Sequence, residues 1–281
     1  MTKKILIFGS QGILGFDLYN VLSEEESYQI IPFSRYNLDL HDLEKIKPTI
    51  ENINPDIVIN ASGFTNTEKA EDENFQEQVE LLNIHAPAEM AKACNKLKTR
   101  FIHFSTDFIF DGKNGEYHEE SEPNPLNFYG KSKADGEKTI LKINPEVIII
   151  RTAWLFGKNG PSFIQNITNI AQKKQEIEVV DDIIVSMTSS LDLARAVKSL
   201  IDKDKFEYNI YHFVNEGEHS LYEITEQIFE IKKIKTKLIP VSSSRFPSKV
   251  NRPKKAILKN TRHNKLPHLK EALKEFLSPN D

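Results

Sequence analysis

A short apolar segment near the start of the chain runs directly into a glycine-rich turn. Residues 4–9 are KILIFG, and the pattern continues as GSQGILG, with Gly9, Gly12 and Gly15 three residues apart. Apolar residues at helical spacing over 12–22 then predict a helix. A glycine pattern alone is weak evidence, but a strand before it and a helix after it are typical of a nucleotide-binding βα unit. We therefore expect a parallel α/β sheet whose first strand begins near residue 4.

Strand and helix patterns alternate through most of the chain. Apolar segments predict further strands at 28–34, 55–62, 146–157 and 209–215, and a strand that runs into a loop at 100–110. Amphipathic segments predict helices at 43–52, 78–97, 127–141 and 189–201. Pro48 and Pro87 are expected to limit or kink their helices. Because alternating strands and helices form right-handed βαβ units, we predict an α/β fold with a Rossmann-type doubly wound parallel sheet.

The alternation weakens after about residue 157, which predicts a second, smaller lobe. We expect residues 1–157 and about 188–215 to form the dinucleotide-binding domain. We expect a mainly C-terminal substrate lobe, formed by residues from about 158–187 and 216–281. The segment from 216 is rich in lysine and interrupted by prolines.

Composition narrows the class of protein. A net charge of -4 disfavours a general nucleic-acid binder. No segment approaches the ~18 apolar residues of a membrane span, so no membrane partner is expected. Cys94, the single cysteine, cannot form an internal disulfide, and the N-terminus lacks signal-peptide features, so we expect a cytoplasmic protein. The eight histidines have no metal-ligand spacing, and no metal site is predicted.

Each glycine of the turn has a predicted role. Gly9 would permit the tight turn, Gly12 would let a pyrophosphate approach the backbone, and Gly15 would allow close packing of helix and strand. The helix N-terminus would add free N–H groups. The alternative is a glycine-rich turn with no ligand.

The end of the second predicted strand bears on which dinucleotide is bound. NAD-binding proteins usually have an acidic residue here, whereas this chain has Ser34 and Arg35. A hydroxyl and a guanidinium suit a 2′-phosphate, which favours NADPH without excluding NADH. The alternative for Arg35 is a solvated surface position. Asp39 and Leu40 follow where the chain would flank the adenine.

Tyr129 and Lys133 are four residues apart in a predicted helix, so they can point into one cleft. A nearby ammonium would lower the pKa of the phenol from about 10 and fit it for proton transfer. The pair alone occurs by chance on many exposed helices. Ser105 and Thr106, however, end a predicted strand, where α/β sheets bind ligands, and either could bond the same substrate oxygen.

The segments GSQGILG, NASG, STDFIFDG, PLNFYGKSKADGE and RTAWLFG together resemble the extended short-chain dehydrogenase/reductase superfamily. Within it the chain is most similar to the dTDP-4-dehydrorhamnose reductase family, and the resemblance is densest over 1–160. The C-terminal segment from Arg252 and Pro253 is similar more loosely. The resemblance implies that Tyr129 is the proton donor, that Lys133 tunes it and holds the nicotinamide ribose, and that Thr106 completes the triad.

The resemblance also implies a set of contacts. Besides the residues named for the turn, for the second strand and for catalysis, the predicted cofactor contacts are Gln11, Ile13, Leu14, Ala61, Ser62, Gly63, Phe64, Thr65 and Ser105. Predicted substrate contacts are Thr106, Asp107, Trp154 and Arg252. Without the resemblance, Trp154 would equally suit a core aromatic position, and Arg252 a solvated surface.

The implied activity is NADPH-dependent reduction of the 4-keto group of a nucleotide-sugar. The implied substrate is dTDP-4-dehydro-L-rhamnose and the product dTDP-L-rhamnose, a precursor of cell-surface polysaccharide. Two segments depart from the family pattern, NASGFT at 60–65 and DDIIVSMT at 181–188. They leave open a reductase, epimerase or dehydratase acting on another nucleotide-sugar. A non-catalytic NADP-binding subunit, like the regulatory β subunit of methionine adenosyltransferase, also stays open, as do homodimer formation and a need for a divalent metal.

Overall fold

Strands and helices alternate along the chain in the predicted order. The computed structural model describes residues 2–203 and 206–278. The first half contains β1 (Lys3–Phe8), α1 (Ile13–Ser23), β2 (Tyr28–Phe33), α2 (Leu43–Ile53), β3 (Ile57–Asn60), α3 (Thr67–Ala70), α4 (Glu73–Glu80), α5 (Ala86–Leu97), β4 (Arg100–Thr106), β5 (Gly115–Tyr117) and α6 (Phe128–Ile143). The second half contains β6 (Ile148–Thr152), β7 (Leu155–Phe156), α7 (Phe163–Ala171), β8 (Glu176–Val180), β9 (Ile184–Val185), β10 (Thr188–Ser189), α8 (Ser190–Asp202), β11 (Ile210–His212), β12 (His219–Ser220), α9 (Leu221–Lys232), β13 (Lys237–Val241), β14 (Ala256–Leu258) and α10 (Leu269–Leu277).

Six strands form the central sheet in the order β11-β6-β4-β3-β1-β2, and every neighbouring pair is parallel. Helices α1 and α8 pack together on one face, and α2, α5 and α6 on the other. The strand order reverses between β1 and β3. In an open parallel sheet this switch point leaves a crevice at the carboxyl ends of the strands, where ligands bind. The predicted doubly wound sheet is confirmed.

Residues of β1 show why this sheet needs helices on both faces. Ile5 and Ile7 are fully buried against α1 and α8, whereas Leu6 and Phe8 are buried against α2 and α5. A strand buried on both faces has a continuous apolar sequence rather than an alternating one. The KILIF segment is therefore typical of an interior strand, and β1 lies between β2 and β3.

The two prolines behave differently. Helix α2 passes through Pro48 as an eleven-residue helix. The helix predicted over 78–97 is interrupted before Pro87, since α4 and α5 are joined through a π-helical segment at Leu81–His85. Pro87 has no N–H to offer the carbonyl of Asn83 one turn earlier. Gly136 of α6 packs against that carbonyl, and a Cβ at Gly136 would lie 2.2 Å from the oxygen.

The strand predicted over 146–157 is shorter than expected. Strand β6 ends at Thr152, and the chain then leaves the central sheet to form β7, which pairs with β10. Trp154 lies between β6 and β7 with a φ of 44°, and this left-handed conformation turns the chain. The apolar character of the segment continues because Phe156 is buried in a different cluster.

A separate apolar cluster lies beyond the central sheet. Its buried residues come mainly from α7, β8, α9 and α10, and β8 pairs with β13 while β9 pairs with β12. Within residues 2–203 and 206–278, none of the helices combines the length and the apolar character that crossing a membrane requires.

Candidate active site

The glycine turn lies at the switch point of the sheet. Gly9 has a φ of 78°, and a Cβ there would lie 2.8 Å from the backbone of Ala61 and Ser62. A Cβ at Gly15 would lie 2.0 Å from the Gly9 carbonyl oxygen. Gly12, the N-cap of α1, has only a 3.3 Å contact with that oxygen. Gly9 and Gly15 thus have the predicted packing roles, and Gly12 is the one with room for a ligand.

A cavity of about 230 Å³ lies beside the turn. Seven predicted cofactor residues line it: Gly9, Ser34, Arg35, Asp39, Leu40, Ser62 and Gly63. The sequence reasoning missed six others: Phe8, Phe33, Leu38, His41, Gln78 and Leu82. Gln78 and Leu82 belong to α4 and the π-helical segment, far along the chain, and carry no local signal of this role.

The end of β2 presents the predicted hydroxyl and guanidinium. The Ser34 hydroxyl donates to Asn37 (2.8 Å), and Arg35 is 74% exposed and pairs loosely with Asp39 at 3.4 Å. Hydrogen bonds from the His41 ring and backbone, with Arg35 assisting, hold the pKa of Asp39 at about 2. An exposed guanidinium that lines the cavity can bind a phosphate there.

The loop after β3 is held from two sides. The Asn60 side-chain oxygen accepts from the Ser62 backbone N–H (3.0 Å) and hydroxyl (2.5 Å). Asn83 accepts from the Phe64 N–H (2.8 Å) and donates to the Phe64 carbonyl (3.2 Å). Asn83 also donates to Ser132 of α6. This asparagine, which the sequence reasoning missed, therefore joins the predicted cofactor loop to the helix that carries Tyr129.

Some predicted cofactor residues face elsewhere. Leu14 is buried in the core, so only its backbone can meet a ligand. The Gln11 carbonyl accepts from Asn159, and Ile13 packs beneath Gly160, where a Cβ would lie 2.8 Å from the isoleucine. The loop at 157–160 thus contacts the glycine turn and the start of α1.

Strand β4 ends in Ser105 and Thr106, and Asp107 follows directly. The Thr106 hydroxyl donates to Asp107 (3.1 Å) and accepts from the Phe108 N–H (3.2 Å). Among the residues that the structure describes, the buried Ser105 hydroxyl has no hydrogen-bond partner. A buried hydroxyl without a partner at a strand end is available to a ligand. Burial disfavours the charged form of Asp107 and raises its pKa to about 7.

Tyr129 lies in the first turn of α6, which begins because the Asn127 side chain caps the Gly130 N–H at 2.8 Å. Its ring packs edge-on against Phe108. Burial raises the pKa of Tyr129 to about 12, a hydrogen bond with Thr106 lowers it, and the charge of Asp107 raises it. The expected lowering by Lys133 is not found, since Lys133 is not among the groups that shift this pKa. A raised pKa keeps the phenol protonated, which is the form that a proton donor requires.

Lys133 is buried one turn further along α6. Its Nζ donates to the Phe104 carbonyl at 2.7 Å and lies 3.3 Å from the His103 ring. Burial lowers the pKa of Lys133 to about 8, and the charge of Glu137 acts in the opposite direction. The alternative for the Tyr129–Lys133 spacing was a chance pair on an exposed helix surface. That alternative is wrong, because both side chains are buried.

The two remaining predicted substrate contacts, Trp154 and Arg252, differ in their surroundings. Trp154 is partly buried between the apolar cluster of the second lobe and a smaller one near β5 and β14. Arg252 pairs with Glu68 of α3 at 2.7 Å and with the Ser248 hydroxyl at 2.7 Å. Val250, in the same segment, packs in the cluster that contains Tyr129. The segment 248–252 therefore closes one side of the site.

The segment 181–188, which departs from the family pattern, is hydrogen-bonded to later parts of the chain. Asp182 accepts from the Ser243 backbone (2.6 Å) and from Lys254 (3.1 Å), and these bonds lower its pKa to about 2 against the effect of burial. Asp181 accepts from the Ser220 hydroxyl (2.6 Å). These carboxylates link the end of β8 to later parts of the chain.

Asp107→Asn is expected to change the pH dependence of stability. Between about pH 4 and 7 folded Asp107 keeps a proton that the unfolded chain releases, so its contribution to the free energy of unfolding falls as pH rises. The rise of the pKa from 3.8 to about 7 corresponds to roughly 4 kcal/mol. The variant should therefore gain stability relative to the parent over this range, measured by urea unfolding at several pH values. Asp135→Asn, at an exposed position, is the control. A stability difference between Asp107→Asn and the parent that does not change with pH would contradict the raised pKa of Asp107.

Fold and site together define a class of protein. The extended short-chain dehydrogenases/reductases are characterised by a parallel sheet with a glycine turn at its switch point, together with a strand-end threonine and a Tyr–Lys pair. This chain has all of these features. A family model described as RmlD substrate binding domain matches residues 3–280, and the chain belongs to this family.

Relatives agree with this assignment over nearly the full length. The spore coat polysaccharide biosynthesis protein SpsK of Bacillus subtilis is 32% identical, covering 99% of this chain and 97% of the relative. The dTDP-4-dehydrorhamnose reductase of Aggregatibacter actinomycetemcomitans is 30% identical, covering 92% and 91%. The crystal structure of dTDP-4-dehydrorhamnose reductase from Bacillus anthracis in complex with NADP superposes with a TM-score of 0.93 at 30% identity, covering 98% and 99% of the two chains.

Proposed function

We propose that this protein reduces the 4-keto group of dTDP-4-dehydro-L-rhamnose with NADPH, forming dTDP-L-rhamnose. The observation that carries the proposal is the group at the carboxyl edge of the sheet. There Thr106 and Tyr129 are hydrogen-bonded hydroxyls, and Lys133 is buried one turn away on α6. Membership of a family whose relatives include named dTDP-4-dehydrorhamnose reductases supplies the substrate class.

The residues present fit a dinucleotide. Gly12 leaves room at the N-terminus of α1, and the unpartnered Ser105 hydroxyl lies at the end of β4. Arg35 and Ser34 would hold the 2′-phosphate, and Lys133 the nicotinamide ribose. The chemistry that NADPH supplies when bound is hydride transfer.

The protein's own groups would manage the charge on the substrate oxygen. Tyr129 would donate its phenol proton to that oxygen as negative charge develops, since its raised pKa keeps the proton in place until then. Thr106 would donate a hydrogen bond to the same oxygen, which stabilises the charge where it builds up. Asp107 and Trp154 would contact the sugar, and Arg252 would bind the diphosphate in exchange for Glu68.

The division into lobes belongs to the same proposal. Residues 158–187 and 216–281 would form the substrate lobe, and 1–157 with 188–215 the NADP-binding domain. The separate apolar cluster of α7, β8, α9 and α10 supports this division. A cytoplasmic location is also proposed, supported by a single buried cysteine that needs no oxidising compartment.

The direct test is oxidation of NADPH by the purified protein with freshly generated dTDP-4-dehydro-L-rhamnose. We expect oxidation that depends on the sugar. Tight NADPH binding without oxidation would contradict the reductase. A panel of other nucleotide-sugars would then separate a different substrate from a non-catalytic subunit, for which capture of a stoichiometric partner would be the positive finding.

One observation favours a related activity on a different nucleotide-sugar. The segment DDIIVSMT lacks the glutamine, glycine and proline of the family pattern, and its Asp181 and Asp182 are hydrogen-bonded to Ser220, Ser243 and Lys254. Faster oxidation with another 4-keto nucleotide-sugar in the same panel would establish that alternative.

Arg35→Ala is expected to weaken NADPH binding roughly ten- to hundredfold, the loss of charge-assisted hydrogen bonds to one phosphate, and to leave NADH binding unchanged. The measurement is a fluorescence titration with each cofactor. Arg245→Ala removes another exposed arginine, from the proposed second lobe, and serves as the control. An equal loss of affinity for both cofactors would place Arg35 away from the 2′-phosphate.

A further inference from the structure

A connected set of buried polar side chains lies directly behind Lys133. Asn60 of β3, His103 of β4 and Lys133 of α6 are each no more than 5% exposed. The Asn60 amide nitrogen lies 3.1 Å from His103 Nδ1, and His103 Nε2 lies 3.3 Å from Lys133 Nζ. The roles assigned above use Lys133 but not the other two residues.

The protonation of the His103 ring follows from its neighbours. The Ser62 backbone N–H can only donate, so the atom of Asn60 that faces it is the amide oxygen. The amide nitrogen of Asn60 therefore faces His103 and donates to Nδ1. A neutral imidazole that accepts at Nδ1 carries its hydrogen on Nε2. Burial and the charge of Lys133 keep the pKa of His103 well below its ordinary value, so the ring is neutral.

The Nε2–H group consequently points at the lysine amine. An ammonium group has no lone pair to accept this hydrogen, whereas an uncharged amine has one. Both forms of Lys133 can donate to the Phe104 carbonyl. The geometry thus favours the uncharged amine over the ammonium, in the same direction as burial.

Other charged and titratable groups surround this lysine. On α6, Tyr129 is one turn before it and Glu137 one turn after it. Glu137 favours the ammonium form but is itself bound by Arg151 of β6, at 2.7 Å for the shortest contact. From β4, the only such group in contact with Lys133 Nζ, within the part of the chain that the structure describes, is His103.

We propose that His103 is a positioning residue that holds the Lys133 amine and, in the tautomer imposed by Asn60, limits its positive charge. Lys133 can then release and regain a proton near neutral pH rather than remain a permanent cation. The consequence for turnover rests on the proposed reductase function. The effect on the charge of Lys133 does not.

The test reverses the tautomer. Asn60→Asp substitutes an oxygen for the amide nitrogen, so His103 would donate from Nδ1 and turn the Nε2 lone pair toward Lys133. The titration midpoint of Lys133, followed by NMR of its ¹³Cε and assigned with Lys133→Met, is expected to rise by about one pH unit, a tenfold change in proton affinity. His103→Gln, which can present an amide oxygen to the lysine, should raise the midpoint as well.

A double variant separates this effect from simple attraction by the new carboxylate. In a His103→Phe background, Asn60→Asp should raise the Lys133 midpoint much less than in the parent. An equal rise in both backgrounds, or no rise in Asn60→Asp and His103→Gln, would overturn the proposal. The NMR readout needs neither NADPH nor a sugar, so it stands apart from failure of the proposed reductase. Where turnover is measurable, the alkaline limb of its pH profile should move with the midpoint.

Discussion

Tyr129→Phe is expected to lose turnover by about a thousandfold, within the range that general acid catalysis contributes, while binding NADPH nearly as well as the parent. The phenylalanine keeps the packing against Phe108 but has no proton to donate to the developing alkoxide. The readouts are NADPH oxidation with the keto-sugar and NADPH affinity by fluorescence. Their combination distinguishes loss of chemistry from loss of the cofactor site.

Tyr117→Phe provides a matched control for this variant. Tyr117 is also buried, and its hydroxyl is also hydrogen-bonded, to Asp111 at 2.7 Å. Removing that hydroxyl tests the general cost of losing a buried phenol. Turnover in Tyr129→Phe that equals the parent, or that falls only as far as in Tyr117→Phe, would remove Tyr129 from the mechanism.

The second large effect is expected at the glycine turn, where Gly15→Ala and Gly12→Ala should fail in different ways. A Cβ at Gly15 would lie 2.0 Å from the Gly9 carbonyl oxygen, so helix α1 would have to move away from β1. Overpacking typically costs about 1–3 kcal/mol. A 2.0 Å contact with backbone belongs at the upper end of that range, above the ~1 kcal/mol that alanine gains in a helix. Thermal unfolding should show a large loss of stability.

Gly12→Ala is the companion measurement. Its Cβ would meet only the 3.3 Å contact with Gly9, and its backbone conformation is open to alanine. We expect a stability close to that of the parent and an affinity for NADPH at least ~10-fold weaker, since a methyl group would hold the pyrophosphate away from the turn. Normal NADPH binding by Gly12→Ala would show that the cofactor does not approach this glycine.

Much of this site was predictable from local patterns. The order of strands and helices, the glycine spacing and the four-residue separation of Tyr129 and Lys133 each depend on residues close together in the chain. The structure confirms the sheet and the packing roles of Gly9 and Gly15. The overlong strand at 146–157 was wrong because an apolar run shows burial but not in which cluster, and the turn at Trp154 is not encoded by glycine.

Other features depend on contacts between distant residues. Asn83 meets Phe64 across 19 residues, and Glu68 meets Arg252 across 184. His103 lies two residues before the predicted strand-end hydroxyls, but nothing in the sequence places it behind Lys133. The pKa values also depended on tertiary structure. The four-residue spacing predicted that Lys133 would lower the pKa of Tyr129, whereas burial raises it.

By itself, the sequence determined the class of fold, the glycine turn and the residues proposed to carry protons, because hydrophobic periodicity and side-chain spacing act over one or two turns of chain. Only the tertiary structure decided which of those groups are charged, which neighbours hold them and how the segment 248–252 packs beside them. Charge state depends on how completely a group is removed from water and on what it then faces. In this protein those neighbours come from β3, β4, the π-helical segment and the C-terminal region, which only the folded chain brings together.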